Sequence, residues 1–462
     1  MISVRNHLRQ LSGNKIMVLL VLAFLISSCG GTDKGVRRSS KSRTAKVKSN
    51  TKVTGAKKRK KVKEVEWTEG KDDKKPPIQN KPEASYEQPE IIKESVYDIT
   101  YFIPFDANNY LNSAQKSDRF VQYYCGMLVA TNILEREGVN LNIKVVDEKK
   151  RKFETILKEE VNSTTDAIVG PYSRNSLKMA AEYAKSKEIP LVSPWQASSK
   201  VAEENPFYVQ LRPNLDEHYY SIFEDVKKNF DKEQVYIVGR NTNVKDVKRI
   251  RKLQRMAKDV WGESEEDILQ EQILIQDSID VGITAFDSIF TEEKPLVFII
   301  PNWSFEDESF IYGALRRLSV EKGLSNVIVY GMPIMMESEK INFDYYSSLN
   351  MRVARSKFVD ERDLDVSRFK RDFVNTYGAL PTDDAYEGYD NLMFVGRNLH
   401  EYGKNFQYYL HEDQGYYLQA GYSVEQTRKD SSSDAPRSID YFENKNVDII
   451  EFKDSRFVRN LD

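Results

Sequence analysis

The sequence predicts an α/β fold with two doubly wound parallel-sheet lobes joined by hinge strands, and three observations lead to that prediction. Short apolar runs alternate with amphipathic segments from Tyr97 onward, and the alternation occurs in both halves of the region 96–462. The connecting segments are long enough for helices, which implies right-handed crossovers between parallel strands. The chain has 462 residues, 40% of them hydrophobic, which is enough for two ordinary cores.

The first 28 residues have the features of a secretory signal peptide. Arg5, Arg9 and Lys15 precede an unbroken apolar run over 16–26, and small residues follow it. A helix of that length rises only about 16 Å, whereas the hydrocarbon core of a bilayer is about 30 Å thick. The run therefore predicts a cleaved signal over 1–28 rather than a transmembrane helix.

The cleavage site ends in Cys29, which determines the predicted location. Ile26-Ser27-Ser28-Cys29 resembles the bacterial lipobox, which implies a lipid on the Cys29 thiol and a mature chain that begins there. An ordinary signal peptide whose site happens to end in cysteine is the alternative. We therefore expect a lipid-anchored, periplasm-facing protein of the bacterial cell envelope. Gly30, rather than an aspartate, follows Cys29, which favours the outer membrane.

Residues 29–95 are predicted to be a lipidated, basic, disordered tether. The segment Lys34–Lys63 contains fourteen Lys or Arg residues and no acidic residue, and no hydrophobic periodicity precedes residue 96. Without the 17 basic residues and one acidic residue of positions 1–63, the chain retains 52 basic and 70 acidic residues, a net charge of −18. The basic run would be drawn to anionic lipid headgroups, wall polymers or the acidic body, or would serve only as a solvated linker. Export makes nucleic acid a poor partner.

Strands and helices then follow in order along the body. The predicted strands are 97–103, 141–146, 166–169, 189–192, 234–238, 268–275, 296–300 and 327–330, and the predicted helices are 120–134, 175–187, 244–259, 281–290 and 305–322. We expect lobe 1 to comprise about 96–213 and 350–408, and lobe 2 to comprise about 214–349 and 409–462. Ligands of doubly wound sheets bind at the carboxyl ends of the strands, so the cleft between the lobes is the expected pocket.

Several segments of the body resemble a known family. They are Asp166–Ser173, Ile189–Pro194, Pro206–Pro213, Tyr377–Pro381, Ala385–Asp390 and Asn444–Phe452. They resemble type I periplasmic binding proteins of the branched-chain amino-acid receptor family, which are leucine-binding-protein-like, over roughly residues 97–460. The resemblance implies that two loops of lobe 1 offer hydroxyl and backbone N–H groups to a ligand carboxylate, while an acidic residue of lobe 2 takes the ammonium.

The candidate ligand-binding residues follow from these loop positions. The chain has Gly331-Met332-Pro333-Ile334 where the acidic residue is expected, so the ammonium anchor is missing and a free α-amino acid is a doubtful ligand. An arginine clamp would suit a carboxylate or phosphate, and tryptophans would stack on a ring or sugar. Solvation of the arginine and packing of the tryptophans are the alternative. The candidates are Asp106, Ser173, Arg174, Trp195, Gln196, Ser198, Arg240, Asn302 and Trp303.

The sequence contains no local pattern that indicates catalysis or a cofactor. It lacks the H-E-x-x-H, C-x-x-C, G-x-S-x-G and G-x-x-x-x-G-K motifs, and its acidic pairs lack the alternating oxygen ligands of a calcium loop. We therefore expect no enzyme, no metal and no cofactor.

Two functions remain open. The first is a membrane-anchored receptor that closes on a small ligand, anionic or ring-containing, and presents it to an ABC transporter. The second is a non-transport envelope scaffold or regulator that uses the same fold to engage peptidoglycan or outer-membrane machinery. The long tether and the altered pocket are compatible with the second.

Overall fold

The computed structural model describes part of the chain. The described residues are 2–4, 88–197, 201, 203–240, 243–264, 268–274, 286, 289–290, 294–412, 415–428 and 439–459. Cys29 and the basic run of the tether lie outside them, as do Ser198 and most of the predicted helix 281–290.

The elements follow one another in the predicted alternation. The strands are β1 (Ile2–Val4), β2 (Tyr97–Ile103), β3 (Leu141–Asp147), β4 (Thr165–Val169), β5 (Leu191–Ser193), β6 (Tyr208–Gln210), β7 (Val235–Arg240), β8 (Gln270–Leu274), β9 (Leu296–Ile300), β10 (Val327–Gly331), β11 (Arg352–Arg355), β12 (Gly415–Tyr416), β13 (Gly421–Tyr422), β14 (Val424–Arg428), β15 (Ile439–Asn444), β16 (Asp448–Lys453) and β17 (Arg456–Arg459). The helices are α1 (Tyr110–Arg136), α2 (Phe153–Glu160), α3 (Arg174–Lys187), α4 (Leu215–Asn229), α5 (Val244–Trp261), α6 (Glu308–Glu321), α7 (Ile334–Glu337), α8 (Phe343–Ser348), α9 (Leu364–Tyr377) and α10 (Asp383–Tyr402).

Lobe 1 is built on a sheet of mostly parallel strands in the order β1-β3-β2-β4-β5-β6-β15-β14. β1 and β14 add antiparallel edges. Side chains of β2 alternate between two cores: Tyr101 and Ile103 enter one, and Phe102 enters the other. Because both faces are covered, the strand is apolar along nearly its whole length, as the sequence shows.

Lobe 2 is built on the order β17-β16-β11-β10-β9-β7-β8. The strands β7 to β11 pair in parallel, and β16 and β17 extend the sheet in the antiparallel sense. The predicted fold class of two doubly wound lobes is therefore confirmed. The antiparallel strands at the edges were not predicted, because antiparallel pairing needs no crossover helix and therefore leaves no alternation of strand and helix in the sequence.

The chain crosses between the sheets at places that differ from the expected boundaries. β11 belongs to the lobe-2 sheet, although 350–408 was expected in lobe 1. β14 and β15 belong to the lobe-1 sheet, although 409–462 was expected in lobe 2. The segment Asn444–Phe452, one of those that resemble the family, is divided between β15 in lobe 1 and β16 in lobe 2.

The described residues of the predicted tether, from Gln88 onward, contact lobe 1. The Gln88 side chain donates to the Tyr408 carbonyl oxygen at 3.3 Å, and Lys404 pairs with Glu94 at 2.7 Å. Gly403 has a φ of +70°, and a Cβ there would lie 2.2 Å from the Ile92 carbonyl oxygen, so only glycine fits. The last residues of the predicted tether therefore lie against the body.

β1 lies within the predicted signal peptide and pairs with β3. Cleavage before Cys29 would remove β1 and leave β3 at the sheet edge. Both lobe cores and every described helix lie within 88–459, so this region contains the contacts that define the fold.

Candidate functional site

The strand ends of lobe 1 meet around Trp195, which is buried. Its side chain is only 2% exposed, and its ring centroid lies 5.0 Å from that of Tyr123, 5.7 Å from that of Tyr172 and 6.1 Å from that of Phe120. A Cβ on Gly170 would lie 3.1 Å from this indole. Trp195 therefore packs in the lobe-1 core, which is the alternative that the sequence left open.

Gln196 and Ser173 make local contacts that shape the same loops. The Gln196 side-chain amide donates to the Tyr172 carbonyl oxygen at 2.8 Å, which joins the two loops. The Ser173 hydroxyl accepts from the Ser176 N–H at 3.3 Å and caps helix α3. Arg174, the first residue of α3, is exposed.

Glu148 is a residue of this site that the sequence analysis missed. It follows β3, is almost completely buried, and accepts hydrogen bonds from the backbone N–H groups of Tyr172, at 2.8 Å, and Ser173. Burial raises the pKa of Glu148 to about 7, although both N–H groups and Lys149 oppose that rise. The available signal was an acidic residue directly after a buried strand. Its contact with the Tyr172 loop was not visible in the sequence.

Asp106 lies three residues after β2 and stabilises the turn that precedes α1. Its φ of +54° is in the left-handed region, and its N–H donates to the Asp147 carboxylate at 3.2 Å. Its own carboxylate accepts from the Asn109 side chain at 3.2 Å. The side chain is thus engaged at the start of α1.

Two further ion pairs lie where α1, α10 and the segment after β11 meet. Arg119 contacts Asp384 at 2.8 Å, and Lys357 contacts Glu387. Burial lowers the pKa of Lys357; Glu387 opposes this, and the nearby positive charge of Arg212 adds to it. Sequence reasoning missed both pairs, because their members are 265 and 30 positions apart in the chain.

His218 lies near Arg212, the cation that also acts on Lys357. Burial lowers the pKa of His218 to about 4, and the nearby charges of Arg212 and Arg355 contribute to the shift. The imidazole is therefore neutral at neutral pH. Four cations therefore lie near the segments in which the chain passes from one lobe to the other. They are Arg119, Arg212, Arg355 and Lys357.

The strand ends of lobe 2 form a charge-balanced network around Arg240. Its guanidinium pairs with Asp246 and Asp307 and lies 4.4 Å from the centre of the Phe310 ring. Arg249 pairs with Asp246 at 2.7 Å and approaches Asp307 at 3.8 Å. Two cations thus face two carboxylates, so Arg240 does not offer an unbalanced charge to an anion.

Asn302 joins this network, whereas Trp303 packs beside it. The Asn302 amide lies 3.4 Å from the Asp246 carboxylate and is buried. Trp303 is partly buried against the lobe-2 core. The structure therefore brings Arg240 and Asn302 together, while Trp195 and Trp303 each pack within their own lobe.

The position expected for an ammonium anchor is apolar in the structure as well. Met332 and Ile334 are buried in the lobe-2 core after β10. The first carboxylate that follows in the sequence is that of Glu337, which lies 3.4 Å from the Arg355 guanidinium. The first carboxylate along the described chain after β10 is therefore held in an ion pair.

The described residues contain no group of three or more His, Cys, Asp or Glu side chains arranged to hold a metal ion. Among the same residues, no helix combines the length and apolar character required to cross a bilayer.

Comparison with solved structures identifies the architecture. A putative branched-chain amino acid ABC transporter protein from Rhodospirillum rubrum matches at a TM-score of 0.54 and 13% identity, over 79% of this chain and 100% of that one. An ABC transporter substrate-binding protein from Desulfitobacterium hafniense matches at 0.50 and 12%, with the same coverage. The LpoA C-domain from Haemophilus influenzae, a regulator of PBP1A, matches at 0.50 and 10%, also over 79% and 100%.

The chain has the type I periplasmic binding protein fold. The fold expected from the resemblance is therefore confirmed, and identities this low show the fold alone. No family model and no curated protein matches the sequence.

Proposed function

We propose that this chain is a lipid-anchored scaffold of the cell envelope that engages another envelope component, and that it does not carry a free amino acid. The observation that carries the proposal is the contact of Glu148 with the N–H groups of Tyr172 and Ser173. Amino-acid-binding proteins of this fold use that loop to hold the ligand carboxylate. Here a side chain of the protein itself takes those donors.

The lobe-2 wall supports the same conclusion. Arg240 is neutralised by Asp246 and Asp307, and apolar residues stand where the ammonium would bind. A ligand would have to displace these internal contacts, and the free energy required would reduce its affinity. The LpoA C-domain, a regulator of PBP1A, supports the idea that this fold serves regulation as well as transport.

A receptor for an anionic solute is the second candidate. The observation that favours it is the group of cations near the crossing segments, in which Arg212 lowers the pKa of both Lys357 and His218. A carboxylate or phosphate drawn to this region would compete with Asp384, Glu387 and Glu337, which already pair with Arg119, Lys357 and Arg355.

A thermal-shift screen of the full chain separates the two candidates. Ligands that bind only the folded state raise the melting temperature. We expect no response to amino acids or phosphates, whereas a saturable rise with either would overturn the scaffold proposal. Glu148→Ala frees the loop N–H groups and serves as a positive control, because a carboxylate response in this variant alone shows that Glu148 blocks the site.

The proposed anchor has its own experiment. Cys29→Ser removes the thiol that would bear the lipid, so the variant should leave the membrane fraction while the unsubstituted chain stays there. Cys125→Ser is the matched control, because Cys125 lies in the body and its replacement should leave the location unchanged. Retention of the Cys29→Ser variant in membranes would contradict the anchor.

A further inference from the structure

Three segments of the described chain lead from one sheet to the other. They follow β6, β11 and β15 and comprise residues 211–214, 356–363 and 445–447, and we call them the first, second and third crossing segments. In two-lobed proteins that close on a ligand, a few residues in such segments absorb the change in φ and ψ. The freedom of these segments to rotate therefore decides whether the lobes can move.

The first and third crossing segments are joined through Glu443, a completely buried residue of β15 in lobe 1. Its carboxylate accepts from the side-chain amides of Gln210, at 3.0 Å, and Asn214, at 2.7 Å, and it pairs with Lys445 at 2.6 Å. The Asn214 side chain also accepts from the first N–H groups of α4 and caps that helix. A strand of lobe 1 is thus bonded to the start of a helix of lobe 2.

Lys445 extends this connection, because its ammonium also pairs with Glu217 of α4 at 2.8 Å. Burial alone would lower the pKa of Lys445, but the carboxylates of Glu443 and Glu217 raise it above its ordinary value, so the cation stays charged at neutral pH. The Ser221 hydroxyl of α4 donates to the Val447 carbonyl oxygen at 2.7 Å, close by. We call the following residues the first clasp: Asn214, Glu217, Glu443 and Lys445.

The second crossing segment is held by Arg459 of β17, the last strand of the lobe-2 sheet. The buried guanidinium pairs with Asp448 of β16 at 2.8 Å and donates to the Phe358 carbonyl oxygen at 3.0 Å. It also approaches the Gln419 carbonyl oxygen at 3.4 Å and lies 4.9 Å from the centre of the Tyr416 ring. We call Arg459 and Asp448 the second clasp.

The loop that Arg459 contacts is fixed to lobe 1. Its three N–H groups over 418–420 donate to the Asp390 carboxylate of α10 at distances between 2.9 and 3.2 Å. Leu418 and Ala420 are buried in the cores of lobe 1. The Gln419 carbonyl oxygen also accepts from the Phe358 N–H at 2.8 Å. Arg459 therefore joins the sheet of lobe 2 to a rigid part of lobe 1.

Every crossing segment takes part in a clasp: the first contributes Asn214, the second Phe358 and the third Lys445. Rotation that separated these contacts would leave buried charges and donors without partners, which is costly. We propose that the two clasps lock the hinge, so that the lobes keep one relative orientation. The lock goes beyond the scaffold function, since it concerns the motion of the lobes in the absence of any ligand.

The test measures the distance between the lobes by double electron–electron resonance. It uses the full chain with Cys29→Ser and Cys125→Ser, so that spin labels attach only at the introduced cysteines of Lys178→Cys and Lys248→Cys. Both positions are exposed, the first on α3 in lobe 1 and the second on α5 in lobe 2. We expect one narrow distance distribution for this reference chain.

Addition of Lys445→Met and Arg459→Gln removes the cation of each clasp. The distribution should then widen about twofold or gain a second maximum, because the crossing segments can rotate. If circular dichroism shows that this variant is unfolded, Arg459→Lys replaces it. A lysine retains the charge beside Asp448 but cannot span that carboxylate and both carbonyl oxygens, so a smaller widening is expected.

A matched control removes two cations from ion pairs that lie within lobe 1. Lys158→Met and Arg397→Gln break exposed pairs with Glu154 and Glu137 and should leave the distribution unchanged.

Three results would overturn the lock. They are a broad or two-peaked distribution in the reference chain, an unchanged distribution in the folded clasp variants, and equal widening in the clasp and control variants. Mobile lobes without a ligand response in the thermal-shift screen would remove only the lock. A ligand response together with a narrow distribution would remove only the scaffold function.

Discussion

The two lobes satisfy the charged groups at their strand ends in different ways. In lobe 2, Arg240 and Arg249 face Asp246 and Asp307, so positive and negative charges are equal in number. In lobe 1, the Glu148 carboxylate accepts from backbone N–H groups, and burial raises its pKa to about 7. The strand ends of lobe 2 therefore balance their charges through ion pairs, whereas those of lobe 1 combine aromatic packing with a buried carboxylate whose pKa is raised.

The difference bears on how a closed ligand site would form. A balanced network of buried charges is stable only while all of its members stay in place, so lobe 2 has little freedom to take a ligand. In lobe 1, the backbone N–H groups of Tyr172 and Ser173 donate to a single side chain, that of Glu148. If either lobe changes its contacts with conditions, we expect it to be lobe 1.

The largest effect is expected from the aromatic packing of lobe 1. Trp195→Ala leaves a cavity among Tyr123, Tyr172 and Phe120 and should reduce the free energy of unfolding by about 4 kcal/mol, measured by urea denaturation. Arg174→Ala, at an exposed position, should change it by about 0.5 kcal/mol or less. A ligand-contacting tryptophan without a packing role would instead give two similar, small changes.

The next effect concerns the ion pairs of lobe 2. Asp246→Ala removes a carboxylate shared by Arg240 and Arg249 and leaves positive charge buried, which should cost about 3 kcal/mol in the same measurement. Asp365→Ala breaks the exposed pair with Arg368 and should cost roughly 0.5 kcal/mol. Equal losses in these two variants would show that the lobe-2 network contributes no more than a surface pair.

The third effect is a pH dependence that belongs to lobe 1, and it is measured as a slope with pH rather than as a single loss. The raised pKa of Glu148 means that the folded chain binds a proton more tightly than the unfolded chain, whose glutamates titrate near about 4.3. The contribution to stability is complete below about 4.3 and is lost as the pH rises towards 7. The slope is at most about 1.4 kcal/mol per pH unit.

Glu148→Gln keeps an acceptor for the Tyr172 N–H and removes the titration. The difference in free energy of unfolding between this variant and the unsubstituted chain should therefore change between pH 5 and pH 7. Subtraction removes the contribution of Asp390, another carboxylate whose pKa burial raises to about 7. Parallel profiles over that range would mean that Glu148 does not titrate there.

Local patterns in the sequence determined the fold class. The run Tyr97–Ile103 is β2 with the predicted bounds, and helix α3 begins one residue before the predicted start. Burial along a single element repeats with the period of that element, so the sequence records it directly. Pairing of distant elements leaves no such period, which is why β14 and β15 were assigned to the other lobe.

The sequence by itself determined that the body has strands and helices in alternation, and that Arg240, Asn302 and Trp195 stand at strand ends. Only the tertiary structure decided what those residues contact. Asp246 lies six residues after Arg240, but Asp307 lies 67 positions away, and Glu387 of α10 approaches Lys357 from 30 positions away. Whether a polar side chain at a strand end is open to a ligand depends on the charges that distant segments bring to it. The positions of those segments are set by the crossovers between distant strands, and no local period of the sequence encodes them.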